Sequence, residues 1–184
     1  MARTPLIPRS DVRSSFAGFT LVELLTTVTI LGIVLATGTP ALRELHQRQR
    51  AIALTNSLVA HLHHARLHAI THRVPTVLCP TTDGLACSEN SDWTGGWAIF
   101  PQPEGTKPSQ GSPAVLMEAT TRGRGTTIIS SGGRKQVRYL PDGRSSGSNT
   151  TISICVEGFQ ARQVIINNAG RVRISVPAAG MPCS

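Results

Sequence analysis

The chain has 184 residues, of which 40% are apolar and 15% are charged. This length and composition exclude a wholly disordered protein and allow one domain with a sizeable core, and 17 glycines without a triplet period exclude collagen. Lys and Arg number 18 against 10 Asp and Glu, so the net charge is +8. An excess of positive charge of this size favours an acidic partner such as nucleic acid, anionic lipid or an acidic protein.

An apolar segment occupies residues 19–39, and its only charged residue is Glu23. A helix of this length extends about 30 Å, which is the thickness of the hydrocarbon core of a bilayer. The small residue Gly18 precedes the apolar run, whereas a secretory signal would carry its cleavage site after the run. Arginines in residues 1–18 place that end in the cytoplasm by the positive-inside rule. The sequence therefore predicts one membrane-spanning helix over residues 19–40.

Glu23 is a candidate functional residue, because an ionisable group in such a segment costs about 2.5–3.5 kcal/mol unless it reaches the interface or finds a partner. The six residues from Gly18 to Glu23, GFTLVE, resemble the processing site of type IV prepilins and type II secretion pseudopilins. The resemblance implies that residues 1–18 are a leader peptide. It also implies that prepilin peptidase cuts after Gly18 and methylates Phe19, and that Glu23 meets the N-terminus of a neighbouring pilin during assembly.

Residues 41–73 are predicted to continue as an amphipathic helix. One apolar stripe recurs at helical spacing, at Leu54, Leu58, Leu62, Ala65 and Ala69. A second stripe beside it consists of His61, His64, His68 and His72. Imidazoles four residues apart could bind a metal, but no Cys or carboxylate joins them locally, so we interpret them as a solvated or packing-edge face. No metal site and no cofactor is predicted.

Residues 74–184 are predicted to form a β-rich head. Short β-rich runs broken by Gly, Pro, Ser and Asn predict strands at 74–79, 95–100, 114–119, 125–130, 136–140, 151–156, 163–167 and 170–176. One long helix followed by many short strands predicts an α+β fold, with the helix laid on antiparallel sheets. The helix would have a transmembrane half and an amphipathic half.

The stretch from Ala65 to Phe100 is similar to the GspH/FimT branch of minor pilins and pseudopilins. The similarity rests on Ala65-Arg66, Ala69-Ile70, Val77, Cys79, Asp83-Gly84, Cys87, Trp93 and Gly96-Trp97-Phe100 in this order. Their spacing is also typical of core and turn residues, with Trp93 and Trp97 as packing anchors and Asp83-Gly84 as a hairpin turn. The family resemblance implies a type IV pilin fold and other pilins as partners. It also implies inner-membrane anchoring, a periplasmic head and an extracellular location after assembly into a pilus.

Four cysteines follow the membrane segment, on the side where thiols are oxidised. Three pairings are possible and the sequence alone does not choose among them. Cys79 and Cys87 flank a hairpin-like turn, which favours their pairing and leaves Cys155 with Cys183. The second bridge would tie the C-terminal tail to a strand.

The positive charge lies in the last third of the chain. Residues 19–121 are close to neutral, whereas residues 122–184 carry nine Lys and Arg, eight of them Arg, against two Asp and Glu. Arginine presents a planar fork that suits bidentate contact with phosphate. The cations that we single out as candidate DNA contacts are Arg134, Lys135, Arg138, Arg162, Arg171 and Arg173.

The segment Gly170-Arg171-Val172-Arg173 is the most specific part of this basic region. In a strand, Arg171 and Arg173 would project from the same face about 6–7 Å apart, close to the phosphate spacing along one DNA strand. The segment resembles the C-terminal Gly-Arg-x-Arg segment of FimT-like minor pilins, which is linked to DNA binding in natural transformation. That resemblance implies backbone contacts with double-stranded DNA of any sequence. Aromatic residues are scarce beyond residue 100, which disfavours base stacking on single strands.

Two other functions remain open. A minor pseudopilin of a type II secretion machine, or a pilin that only primes assembly, would share the leader and the apolar helix. An enzyme is disfavoured, because the chain has no Ser-His-Asp order, no HExxH motif and no phosphate-binding glycine loop. No catalytic residue is predicted.

Overall fold

A computed structural model describes residues 18–103, 116–118, 125–132, 134–178 and 180–183. Residues 1–17 of the predicted leader lie outside the described residues. The chain divides into two compact units, the first ending at Arg43 and the second beginning at Glu44.

Helix α1 runs from Leu21 to His72 and contains 52 residues, including Pro40. Thr20 caps its N-terminus, because the Thr20 hydroxyl accepts a hydrogen bond from the Glu23 amide at 3.3 Å. Arg73 follows the helix in the left-handed conformation, with φ of 54°, which is a common way for a helix to end. The two predicted helical segments, 19–40 and 41–73, therefore form one helix.

The first unit exposes its apolar side chains. Leucine, isoleucine and valine residues between Leu21 and Leu35 are all more than half exposed. An 18-residue window of α1 has a mean hydropathy of 2.0, and by length and composition the helix can cross a membrane.

The second unit contains nine short strands among the described residues. Their bounds are β1 Thr76–Pro80, β2 Trp97–Pro101, β3 Leu116–Glu118, β4 Thr126–Ser130, β5 Val137–Tyr139, β6 Ser145–Ser146, β7 Thr150–Val156, β8 Phe159–Ile166 and β9 Val172–Ser175. They form two antiparallel sheets, with the strand orders β3-β2-β1-β5-β6 and β4-β7-β8-β9. The predicted α+β fold, a long helix on antiparallel sheets, is confirmed.

The core of the second unit lies where α1 meets both sheets. The helix contributes its predicted stripe, of which Leu58, Leu62, Ala65 and Ala69 are fully buried and Leu54 is partly buried. The sheets contribute alternating strand residues, among them Leu78, Ile99, Val137, Ile152, Ile154, Val164 and Ile166. Because alternate strand residues point to opposite faces, these residues identify the face that β1, β2, β5, β7 and β8 turn toward the core.

Two tryptophans and one histidine define the packing between α1 and the sheets. Trp93 and Trp97 are fully buried, as expected of packing anchors. Of the two alternatives for the histidine stripe, a solvated face or a packing edge, His61 fits the second: it is buried, and its Nδ1 accepts a hydrogen bond from the Trp97 indole N–H at 3.1 Å. The indole nitrogen can only donate, so His61 carries its proton on Nε2. The remaining stripe histidines keep some exposure.

Two disulfides join the pairs that we expected from the sequence, Cys79–Cys87 and Cys155–Cys183. The first closes the turn that contains Asp83 and Gly84, where the Asp83 carboxylate accepts a hydrogen bond from the Leu85 amide at 2.9 Å. That hydrogen bond lowers the pKa of Asp83. The second closes a segment of 28 residues that includes β8 and β9.

Candidate nucleic-acid interface

The six cations singled out in the sequence lie in three places. Arg171 and Arg173 belong to the turn and strand after β8. Arg134, Lys135 and Arg138 line a cavity beside β5 and β6. Arg162 belongs to β8 but lines a groove with residues of α1, so the structure does not bring it together with Arg171 and Arg173.

The turn between β8 and β9, which we call the hairpin tip, consists of residues 167–171. The Asn167 amide donates to the Arg171 carbonyl at 3.2 Å, and the Gly170 amide donates to the Asn167 carbonyl at 2.9 Å. The Arg171 amide donates to the Asn167 side-chain oxygen at 2.9 Å. Gly170 has φ of 74°, a conformation that glycine adopts without steric cost. The tip is therefore a closed turn with a fixed backbone.

Arg171 and Arg173 are both exposed. Arg173 lies opposite Ile165 in the β8–β9 ladder, on the face away from the core, because Val164 and Ile166 fill the other face. Strand β9 begins at Val172, so Arg171 belongs to the tip and not to the strand, in contrast to the predicted strand 170–176. Neither arginine forms a salt bridge with a residue that the structure describes, which leaves both guanidinium groups available to an external anion.

A second turn lies against the hairpin tip. Ser145, at the start of β6, donates its amide hydrogen to the Asn168 carbonyl at 3.0 Å. The exposed Arg144 precedes it, and its amide donates to the Asp142 carboxylate at 2.9 Å. Arg144 thus adds a cation beside the tip and Asp142 adds an anion. We did not single out Arg144 in the sequence, although Pro141-Asp142-Gly143 before it is a turn signal.

Arg66 of α1 also reaches the hairpin tip. Its guanidinium donates to the Gly170 carbonyl at 3.0 Å and to the Ala169 carbonyl at 3.3 Å. The two partners are more than 100 residues from Arg66 in the chain. No local sequence pattern could reveal this contact.

The cavity beside β5 and β6, which we call the β5–β6 cavity, has a volume of about 600 Å³. Its charged lining consists of Arg134, Lys135, Arg138 and one carboxylate, that of Glu89. Lys135 is exposed, whereas the Nε atom of Arg138 is buried and has no hydrogen-bond partner among the described residues. The cavity is basic overall, but its cations differ in how accessible they are.

Arg134 is committed to the fold. Its guanidinium donates to the Ser145 hydroxyl at 3.1 Å and to the Ser148 carbonyl. It also packs against Gly147, where an added Cβ would lie 3.2 Å from the Arg134 Nε. Burial lowers the pKa of Arg134 from its usual value. These contacts connect β6 and the loop after it to residue 134.

Tyr139 lies between the hairpin tip and Arg134. A Cβ added at Gly170 would lie 3.3 Å from a ring carbon of Tyr139. Burial raises the pKa of Tyr139 to about 12, although the positive charges of Arg66 and Arg134 act in the opposite direction. The Tyr139 hydroxyl is buried and has no hydrogen-bond partner among the described residues.

Gly18, Phe19 and Glu23 lie at the N-terminal end of the described chain. Gly18 and Phe19 precede α1 and are exposed, and Glu23 is an exposed residue of its first turn. Their roles in cleavage, methylation and assembly stay predictions.

Comparison with solved structures finds a minor pilin, in two crystal forms, and a minor pseudopilin. Type IV minor pilin FimU of Pseudomonas aeruginosa strain PAO1, in two crystal forms, aligns over 74% of this chain. The alignments cover 96% and 98% of FimU, with 21% identity and TM-scores of 0.57 and 0.53. The minor pseudopilin EpsH of the Vibrio cholerae type 2 secretion system aligns over 70% of this chain and 98% of its own, with 16% identity and a TM-score of 0.48.

The sequence matches two known families. Residues 13–39 match the prokaryotic N-terminal methylation motif, and residues 54–170 match the family described as type II transport protein GspH. No curated protein is significantly similar to the chain. Because the second match covers more than half of the sequence, the chain belongs to the family described as type II transport protein GspH.

Proposed function

We propose that this chain is a minor type IV pilin that binds extracellular double-stranded DNA for uptake in natural transformation, and that Arg171 and Arg173 are its principal phosphate contacts. The single observation that carries the proposal is the β8–β9 hairpin, which has exposed Arg171 in its tip and exposed Arg173 in β9, neither of them paired with a carboxylate that the structure describes. A fixed backbone lowers the conformational entropy lost when such side chains bind. One arginine in a hydrogen-bonded turn and a second in the adjoining strand are suited to bind the phosphate backbone.

Charge and composition support contact with the backbone of a duplex rather than with bases. Phosphate contacts are independent of base identity, so the protein would bind duplexes of any sequence. Stacking of unpaired bases requires accessible aromatic rings. Tyr139 is buried, and Phe159, which is 53% exposed, lies at the opposite end of β8 from the hairpin tip.

The cations of the β5–β6 cavity would make a smaller contribution. Arg134 already donates to Ser145 and Ser148, so a phosphate would have to replace those hydrogen bonds. Lys135 is exposed and free to approach a second phosphate, and Arg138 lines the same cavity. Arg162 lines the groove with Arg48 and Glu157 and would contribute least.

The N-terminal segment would provide processing and assembly. In this proposal prepilin peptidase removes residues 1–18, Phe19 becomes the methylated N-terminus, and the Glu23 carboxylate pairs with the N-terminal ammonium of a neighbouring pilin. The exposed apolar side chains of α1 before Arg43 support a position first in the inner membrane and then among other pilin helices. The head would lie in the periplasm before assembly and outside the cell afterwards.

The proposed processing site can be tested in a host that expresses prepilin peptidase. Gly18→Val introduces a branched side chain at the cut site, and we expect a full-length, unmethylated chain in the membrane. Ala17→Ser, one residue away, is the matched control and should be processed. N-terminal sequencing and mass spectrometry distinguish the products, and normal maturation of Gly18→Val would refute this cut site.

DNA binding is best tested with the full chain in a neutral detergent. We expect similar affinity for several duplexes of unrelated sequence and weaker binding to single strands of the same length. Arg171→Gln/Arg173→Gln should weaken binding about tenfold or more, since a hydrogen bond to a charged group contributes roughly 1.5–3 kcal/mol. The control Arg43→Gln/Arg48→Gln removes the same charge from α1 and should bind like the unmodified protein.

A different outcome would favour the second candidate function. A minor pseudopilin of type II secretion, or a pilin that only primes assembly, needs the same α1 and the same fold but no nucleic-acid contact. Absence of duplex binding by the unmodified chain at low salt would contradict the DNA proposal and leave that role.

A further inference from the structure

We infer that Arg66 is a positioning residue that fixes the hairpin tip for DNA binding, an inference that rests on the proposed function. Its guanidinium donates to two successive carbonyl groups of the tip, those of Ala169 and Gly170. A guanidinium can make two such bonds at once because its N–H groups lie in one plane in a fixed fork. A lysine ammonium at this place is a single point charge without that geometry.

The peptide group between Gly170 and Arg171 is held at both of its polar atoms. The Gly170 carbonyl oxygen accepts from Arg66 at 3.0 Å, and the Arg171 N–H donates to the Asn167 side chain at 2.9 Å. The rotation of this peptide plane determines the direction in which the Arg171 side chain leaves the backbone. Arg66 therefore acts on Arg171 through the backbone.

The contact requires a glycine at position 170. Gly170 has φ of 74°, and a Cβ at this position would overlap the Gly143 carbonyl oxygen. The same Cβ would lie 3.4 Å from the central carbon of the Arg66 guanidinium. The glycine of the Gly-Arg-x-Arg segment thus allows the tip to approach both α1 and the turn before β6.

The helix side of the contact is equally close. Arg66 lies next to the fully buried Ala65, which belongs to the stripe that packs α1 onto the sheets. A Cβ added at Gly143 would lie 3.2 Å from the Arg66 Nε and 2.9 Å from the Ile70 Cδ1. Because α1 and this turn pack closely, the Arg66 side chain is held in the position from which its guanidinium group donates to the tip.

The first part of the test measures the tip without DNA. In the full chain in detergent, Arg66→Gln should increase hydrogen exchange in peptides covering residues 167–173, while exchange in β1 and β2 stays unchanged. Arg48→Gln is the matched control: it removes an arginine from the same helix, about 27 Å along its axis, and should leave exchange at the tip unchanged. Unchanged exchange in Arg66→Gln would overturn the inference.

The second part measures DNA affinity in a double-mutant cycle. Arg66→Gln should weaken duplex binding by about three- to tenfold in the unmodified background, because the tip must then be ordered on binding. It should cause no further loss in the Arg171→Gln/Arg173→Gln background. Equal losses in both backgrounds would overturn the inference, since they would mean that Arg66 contacts DNA directly.

Two additions keep the outcomes distinguishable. Arg66→Lys retains the charge and most of the aliphatic stem, so it provides a second variant in case Arg66→Gln fails to fold. Its duplex affinity should lie between that of Arg66→Gln and that of the unmodified chain. If the unmodified chain did not bind DNA, the proposed function would fail, whereas the exchange measurement would still decide whether Arg66 fixes the tip.

Discussion

The hairpin tip and the β5–β6 cavity both carry arginines of the basic C-terminal third, but these arginines have different surroundings. Arg171 in the tip and Arg173 in the adjoining strand are exposed, and Arg66 holds the tip carbonyl that precedes Arg171. In the cavity, Arg134 is partly buried and donates to Ser145 and Ser148. Net charge therefore identifies a basic region, whereas the contacts of each guanidinium group decide which cations remain available to a ligand.

The largest expected difference between the two regions concerns the Cys155–Cys183 disulfide, because the segment it closes includes the hairpin and excludes the cavity. Its separation of 28 residues predicts a stabilisation of about 3–4 kcal/mol in the chain-entropy treatment. Cys155→Ala/Cys183→Ser should lower the free energy of unfolding by that amount. Tryptophan fluorescence can follow the transition, since Trp93 and Trp97 are both buried.

The other disulfide supplies the matched comparison. Cys79–Cys87 spans only 8 residues, so Cys79→Ala/Cys87→Ser should cost about 2–3 kcal/mol. Hydrogen exchange in the β8–β9 hairpin should increase more in Cys155→Ala/Cys183→Ser than in Cys79→Ala/Cys87→Ser. Equal exchange in both would contradict the view that the C-terminal bridge restrains the hairpin.

Arg134→Gln should affect stability more than DNA binding. It removes the hydrogen bonds to Ser145 and Ser148, so we expect a loss of about 1–3 kcal/mol in the free energy of unfolding. The salt dependence of DNA binding by the folded variant should stay close to that of the unmodified protein. A large change in that dependence would place a phosphate on Arg134.

Tyr139→Phe tests the residue beneath both regions. It removes a buried hydroxyl without a described partner, so the variant should be as stable as the unmodified protein at neutral pH, or more stable by about 1 kcal/mol. Burial raises the pKa of Tyr139 from 10.0 to about 12, so the folded state favours the neutral phenol. The contribution of the neutral Tyr139 phenol to the free energy of unfolding is fully present below pH 10. It is lost as the pH rises from 10 toward 12.

The free energy of unfolding of the unmodified protein should therefore fall between pH 10 and 12 through Tyr139 ionisation, and Tyr139→Phe should lack this decrease. Because the chain has a single tyrosine, near-ultraviolet absorbance reports the ionisation of Tyr139 directly. Ionisation near pH 10 in the folded protein would contradict the burial of this side chain.

Lys135→Gln should have the smallest effect. Lys135 is exposed and lines the cavity, so we expect no measurable change in the free energy of unfolding and a change in duplex affinity within about twofold. Fluorescence anisotropy with labelled duplex measures the affinity. A loss as large as that of Arg171→Gln/Arg173→Gln would move the principal contact from the hairpin to the cavity.

The sequence predicted most of the fold because its periodic patterns are strong. The apolar stripe of α1 identified its buried face, and each predicted strand overlaps one of the strands of the structure, although residues 114, 115 and 119 of the predicted strand 114–119 lie outside the described residues. Strand β6 was missed because its two residues, Ser145 and Ser146, have no apolar alternation. Strand β8 begins at Phe159 rather than at residue 163, since the β7–β8 register shifts at a bulge and the first residues of β8 lack a regular pattern.

The candidate site was less predictable, because it depends on contacts between distant segments. The Gly-Arg-x-Arg segment was visible in the sequence, and Pro141-Asp142-Gly143 before Arg144 is a turn signal that we did not single out. Neither pattern shows that the two turns touch or that Arg66 reaches across from α1. The sequence left a solvated face and a packing edge open for the histidine stripe, and it could not show that His61 packs, since its partner Trp97 is 36 residues away.

The salt dependence of duplex binding by the full chain tests most directly whether Arg171 and Arg173 are the principal phosphate contacts. Each phosphate contact contributes roughly one unit to the slope of log affinity against log salt concentration. Loss of Arg171 and Arg173 should therefore reduce the slope by about two units relative to the unmodified chain and to the Arg43→Gln/Arg48→Gln control. An unchanged slope in Arg171→Gln/Arg173→Gln would contradict the assignment of these two arginines as the principal phosphate contacts.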